Sequence, residues 1–184
     1  MNVISFSQLQ DMRPEVTAFS LLGLSPTFNL KPAALEKHYQ ILLCELHPDR
    51  FTQSAPIERE TAQQMSAWAN QAYTILKSPV ERALEILRVK GMTRQEVAAH
   101  THEPDVIAWA FENRERIMAC ESTEELEALK AELSRQTEDI ALIFEPYEVQ
   151  STAALLKAYT RFSYLYKMLA EVNTQLRSLG GVWS

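Results

Sequence analysis

Glycine is scarce in this chain, at four of 184 residues. None of the four stands in a run that would cradle a phosphate or form a nucleophile elbow, so no independent active site of either kind is expected. Cysteine is scarcer still. Cys44 and Cys120 lie far apart and match no short-spaced run of thiolates of the kind that ligates a metal cluster. Cys44 falls within an apolar helical stretch, where a thiol behaves as a small hydrophobe, and the usage fits a reducing compartment. Positive charge is also in deficit: 18 Lys and Arg against 24 Asp and Glu give a formal charge of -6, which disfavours broad phosphate binding. No stretch approaches the apolar length that spans a bilayer. Met1 to Met12 holds Asp11 and no basic run followed by an apolar core, so it does not read as a secretory signal. The expectation is a soluble cytoplasmic protein with no nucleic-acid and no membrane partner.

What abounds instead is Ala, Leu, Glu, Gln, Lys and Arg, whose backbone preference is helical. An all-α protein follows, long enough for one sizeable domain or two small ones. Beyond an N-terminal extension, residues 1–14, the pattern predicts a short helix from Glu15 to Leu22 that ends at Gly23. Pro32 opens a second helix, with Leu35, Tyr39, Leu42, Leu43 and Leu46 as one buried stripe. Pro48 stops it, having no amide hydrogen to donate. A third helix, Ile57 to Leu76, carries Met65, Trp68, Ala69, Ala72, Tyr73 and Leu76 on one face, so the second and third form an antiparallel hairpin. Ser78 and Pro79 cap a fourth helix, Val80 to Lys90, closed by Gly91. Residues 91–103 have weak periodicity and read as a linker. Helices at Pro104 to Cys120, Thr123 to Phe144 and Val149 to Leu179 then make a three-helix bundle over residues 104–184. Its expected core includes Leu126, Leu129, Leu133, Ile140 and Phe144, then Leu155, Tyr159, Phe162, Tyr166, Leu169 and Leu176.

His47, Pro48 and Asp49 stand where a hairpin would present them outward. Asp49 is suited to pair with a partner arginine, Pro48 stiffens the loop, and His47 supplies ring packing and a donor. A plainer reading is a helix stop in which Asp49 bonds nearby backbone and His47 caps the helix dipole. The context is more specific. The turn before the second helix, its Leu and Tyr stripe, and Asn70-Gln71-Ala72-Tyr73 on the third resemble a J-domain, expected over residues 15–90. That resemblance implies docking on the ATPase domain of a DnaK-class chaperone and stimulation of nucleotide hydrolysis there, with His47, Pro48, Asp49, Lys37, His38 and Arg50 as the chaperone-binding residues. J-domains usually carry more basic residues on the second helix, where this chain also has Glu36 and Glu45.

The second half narrows the family. His47-Pro48-Asp49-Arg50-Phe51, Ser78-Pro79 followed by Glu81-Arg82-Ala83 and Leu87, and Glu103-Pro104-Asp105, in this order and length, resemble the HscB-type co-chaperones of iron-sulfur cluster assembly. The resemblance implies a client-binding bundle that holds an IscU-type scaffold and brings it to an HscA-type chaperone, with Ile107, Ala108, Phe111, Glu112, Arg114, Glu115 and Tyr164 at the scaffold contact. Ala108 stands where the family commonly has Met, and Trp109 where it has Glu. Some relatives carry paired-cysteine motifs for zinc, which this chain lacks, so it resembles the bacterial form.

The residues alone point to the same place. Val106 to Phe111 are six consecutive apolar residues, and a helix packed on one side leaves part of such a run exposed or against a partner. Trp109 alternatively covers the linker or the J-domain. His100 and His102, beside Glu103, lack further ligands of defined geometry, so no metal site and no cofactor are expected. The acidic run from Glu121 reads as helix capping by Ser122 or Thr123, not acid-base chemistry. The expectation is a co-chaperone without catalysis of its own. A J-protein for another client and a helical adaptor that does not stimulate an ATPase remain open alternatives.

Overall fold

The computed structural model describes residues 10, 13, 15–100 and 104–180, and all regular structure among them is helical. The chain divides into two compact units, with the boundary between Thr93 and Arg94.

The first unit begins with α1 (Ala18–Leu21). Thr17 is extended and accepts from the Ser20 amide at 3.1 Å, while Ser20 Oγ accepts from the Thr17 amide at 2.9 Å. This reciprocal cap starts the helix at Ala18, three residues later than apolar periodicity suggested. Gly23, at φ +64°, takes the left-handed turn after it. Next come α2 (Pro32–Glu45), a 3-10 turn (Pro48–Phe51), α3 (Pro56–Lys77) and α4 (Pro79–Val89). Proline stands at the first position of each of these four elements, where its missing N–H costs nothing.

Helices α2 and α3 pack as an antiparallel hairpin, with α1 and α4 also against α3. Phe19, Leu76, Ile86 and Leu87 are fully buried, each contributing about 1.5–3 kcal/mol over an exposed side chain. The expected α2 stripe is only partly enclosed: Leu35 is buried, while Tyr39, Leu42, Leu43 and Leu46 are half-exposed. Cys44 is exposed, contrary to its reading as a small core hydrophobe. It lies nine residues after Leu35, about 180° around the helix, on the side that α3 does not cover.

Helix α4 ties this unit together. Ser78 Oγ accepts from the Glu81 amide at 3.4 Å, and the Arg82 guanidinium donates to Leu76 O at 2.7 Å and to Phe28 O at 2.8 Å. Those carbonyls lie at the end of α3 and in the loop before α2. Glu85, 2% exposed, accepts from the Ala18 amide and from Gln10 Nε2, so a buried carboxylate is matched to one donor at the start of α1 and one ahead of it.

In the second unit, α5 (Arg94–His100) occupies part of the stretch read as a linker, with Val97 buried and the helix packed on α8 (Thr152–Gly180). A seven-residue helix with one buried residue has too little periodicity to show in sequence. The bundle is α6 (Pro104–Ala119), α7 (Thr123–Ala141) and α8, with 3-10 turns at Leu142–Phe144 and Tyr147–Val149 between the last two. Ser122 is the cap of α7, accepting from the Glu125 amide at 3.2 Å. Ile117, Leu126, Leu129, Leu133, Leu165, Met168 and Val172 form one buried cluster. On α8 the large apolar side chains that are buried are Leu155, Leu156, Phe162, Leu165, Met168 and Val172, so Tyr159, Tyr166, Leu169 and Leu176 border the core. This helix faces two neighbours, which broadens its apolar face beyond one stripe.

Candidate interaction surfaces

The end of α2 and the 3-10 turn set the tripeptide. His47 is extended (φ -60°, ψ 133°) as the residue before a proline must be, and its carbonyl accepts from the Arg50 amide at 3.0 Å. The Asp49 amide donates to His47 Nδ1 at 3.3 Å. With Nδ1 as the acceptor, the neutral His47 ring carries its proton on Nε2. Thr52 Oγ1 closes the turn onto Asp49 O at 3.3 Å. The Asp49 side chain is 87% exposed, and its Oδ2 lies 3.6 Å from His47 Nδ1. The carboxylate makes no bond to backbone among the described residues, and His47 caps the start of the 3-10 turn and not the end of α2, which departs from the helix-stop reading on both counts.

The remaining chaperone-side candidates divide. Lys37 and Arg50 are exposed, whereas His38 is half-buried with Nδ1 3.0 Å from Leu22 O. That contact needs the proton on Nδ1 and commits the ring to holding the α1–α2 loop. On the other flank of the turn, Pro48, Leu46 and Phe51 meet Arg59, Ala62, Gln63 and Asn70 of α3 around a groove of about 380 Å³. Arg59 and Gln63 escaped the sequence reading, since neither belongs to a motif. Farther along the hairpin, Tyr39 and Tyr73 stack at 4.3 Å; the Tyr39 hydroxyl donates to Asn70 Oδ1 at 2.7 Å and the Tyr73 hydroxyl to Glu36 Oε2 at 2.8 Å. Bonds from Gln40 and Tyr73 hold the Glu36 carboxyl below the usual range, and the same contact raises the Tyr73 phenol. Asn70 and Tyr73 thus clamp the two helices of the hairpin.

In the second unit, α6 splits its apolar run. Val106 is buried, Trp109 and Ala110 pack against the bundle core, and Ile107 and Phe111 are 45% and 61% exposed. Trp109 belongs to its own bundle, with the Arg161 guanidinium 5.8 Å over its ring. At about 100° per residue, Ile107, Phe111 and Arg114 fall within about 60° of one another, with Ala108 and Glu115 alongside and Glu112 at the edge. Arg114 Nε reaches Glu171 Oε1 on α8 at 3.6 Å. The two cross-helix contacts, Trp109 to Arg161 and Arg114 to Glu171, show that α6 and α8 run in the same direction. Tyr164 lies two turns before Glu171 on the same stripe of α8, half-buried, with Lys167 Nζ 5.2 Å over its ring. It therefore borders the exposed face of α6 at the level of Phe111.

No protein-family model matches the chain. Curated relatives do. The co-chaperone protein HscB homolog of Neisseria gonorrhoeae is 32% identical over 112 residues, covering 61% of this chain and 68% of the relative. The chain belongs to the HscB co-chaperone family. The HscB homolog of Paraburkholderia phytofirmans aligns over 168 residues at 26% identity, covering 88% of this chain and 94% of the relative. Among solved structures, HscB from Vibrio cholerae superposes with a TM-score of 0.73 at 25% identity, over 88% of this chain and 99% of that one. Human HscB shares the fold, with a TM-score of 0.70 at 21% identity over 88% and 83%.

This HscB-family chain therefore carries two candidate surfaces, one in each unit. His47, Pro48, Asp49 and Arg50 are gathered on one turn, and Ile107, Ala108, Phe111, Arg114, Glu115 and Tyr164 on one side of the bundle. His102 and Glu103 lie outside the described residues, as do most of residues 1–14. Among the described residues no three His, Cys, Asp or Glu side chains are grouped to hold a metal ion, and no helix is long and apolar enough to cross a membrane.

Proposed function

We propose that this co-chaperone binds an IscU-type iron-sulfur scaffold through the exposed face of α6 with Tyr164, and delivers it to an HscA/DnaK-class chaperone in the cytoplasm. There the His47-Pro48-Asp49 turn stimulates ATP hydrolysis. Residues 15–90 act as the J-domain, and residues 104–184, with α5 packed on them, as the client-binding bundle. The chemistry is the chaperone's. The co-chaperone supplies a charged contact and a positioned client.

The observation that carries this reading is the Asp49 carboxylate, presented on a closed turn, almost fully exposed, and 3.6 Å from its turn neighbour His47. A rigid, solvated carboxylate at a helix end is preorganised for a charge-assisted bond to a partner guanidinium. Family membership supplies the kind of partner, and the exposed Ile107 and Phe111 supply a place for the client.

The test is steady-state ATPase of the HscA-type chaperone with wild type, His47→Gln and Phe111→Ala, with and without scaffold. Wild type is expected to accelerate hydrolysis, and more so with scaffold. His47→Gln should abolish the effect, and Phe111→Ala should remove only the scaffold-dependent part. No stimulation by wild type overturns the chaperone assignment; Phe111→Ala behaving as wild type with scaffold present overturns the client assignment.

A further inference from the structure

Met118 is the most exposed large apolar side chain of α6, at 71%, and none of the sequence signals pointed to it. It lies eleven residues after Ile107 and seven after Phe111. At about 100° per residue these steps bring it to within about 20° of both, and about 16 Å along the axis from Ile107. Three large apolar side chains thus stand in one line, and Arg114 lies on the same line between the last two. The buried face of the helix is occupied by Val106, Asn113 and Ile117, so no rotation of α6 hides Met118 without exposing its own core.

On α6 the line is edged by carboxylates, while Lys167, over the Tyr164 ring, lies on its α8 side. Arg114 is engaged with Glu171, whereas Glu112 and Glu115 make no ion pair among the described residues. A surface that is apolar along its centre and acidic at its margin fits a protein patch of the opposite pattern: apolar side chains rimmed by Lys or Arg. It disfavours a second copy of this chain placed face to face, which would set the carboxylates of Glu112 and Glu115 near their equivalents.

We propose that Met118 is a third apolar anchor for the client scaffold, extending the docking face to three turns of α6 and selecting a scaffold patch with a basic rim. This rests on the client reading above. A methionine suits the position, since its unbranched, polarisable side chain adapts to an irregular partner surface.

The experiment is titration calorimetry of the full-length protein against the apo IscU-type scaffold. It compares wild type, Phe111→Ala, Met118→Ala, Met118→Asp and Val149→Ala, the last being an exposed apolar residue on a different element, with circular dichroism as a folding check. Phe111→Ala is expected to raise Kd at least about tenfold, Met118→Ala about threefold to tenfold, and Met118→Asp more than either, with Val149→Ala unchanged. If Phe111→Ala weakens binding and both Met118 variants bind as wild type, the inference is overturned and the client reading stands. If no variant weakens binding, the client reading falls and the inference with it. If sedimentation shows that wild type self-associates and Met118→Asp does not, the occupant is a second copy and the proposal is overturned.

Discussion

At the scale of single residues, the side chains of the first unit separate into those spent on the fold and those left to solvent. Asp49 is among the latter, so Asp49→Asn should leave the melting temperature within about 1 °C of wild type and remove ATPase stimulation by more than about tenfold. Lys37 and His38 are neighbours in sequence with opposite assignments. Lys37→Ala is expected to weaken stimulation without changing stability, and His38→Ala to lose about 1 kcal/mol in urea unfolding, because the Leu22 carbonyl loses its partner. A sequence pattern shows both as basic residues on one helix. The bond that decides between them spans 16 positions and leaves no periodic trace. Glu132 gives a pH signature. It accepts from Arg116 at 2.6 and 3.1 Å, and this pairing, opposed by partial burial, holds its carboxyl below the ordinary range. The folded state is the stronger acid, so the contribution is complete at neutral pH and is lost as pH falls through the depressed value. Both side chains are more than a third exposed, which limits the pair to about 0.5 kcal/mol. Glu132→Gln should therefore lower the melting temperature by about 2 °C at pH 7, and progressively less as the solution is acidified through the carboxylate range.

At the scale of elements, proline and glycine made the sequence legible. Pro32, Pro56, Pro79 and Pro104 each open a helix, and Gly23 and Gly91 follow α1 and α4 at positive φ. Two short elements stayed hidden: α5, with a single buried residue, and the 3-10 turn, whose Pro48 appeared only as a helix stop. Interactions that join elements were hidden for the same reason. Arg82 belonged to a recognisable string of residues, but its work is to satisfy carbonyls at the end of α3 and before α2. Arg82→Leu keeps much of the bulk and removes these donors. It is expected to cost about 2 kcal/mol in chemical denaturation, while stimulation per folded molecule is retained.

At the scale of the whole molecule, the order of the helices followed from the sequence, and the boundary between the units falls inside the stretch 91–103 read as a linker, near its start. The bundle unit begins at Arg94, ten residues earlier than apolar periodicity placed it, since Val97 alone marks α5 as packed. Each unit has its own buried core, so a cavity in one should spare the function of the other. Leu133→Ala, in the middle of the bundle cluster, is expected to destabilise the bundle by about 2–5 kcal/mol. Scaffold binding should then be lost on warming at a lower temperature than in wild type, while scaffold-independent ATPase stimulation follows the wild-type curve. The net charge of -6 and the free carboxylates beside Phe111 favour fast encounter with a basic partner. The Glu112→Gln, Glu115→Gln double variant should slow association severalfold in stopped flow at low salt, and make little difference at high salt.

The exposed Cys44 makes the natural chain its own spectroscopic reporter. It lies three residues before His47 on the uncovered side of α2, whereas Cys120 is half-buried with its Sγ 3.3 Å from Arg116 O. A maleimide dye under brief, substoichiometric labelling will therefore mark the neighbourhood of the His47-Pro48-Asp49 turn first. Docking of an ATPase can then be followed by fluorescence anisotropy without altering a single residue.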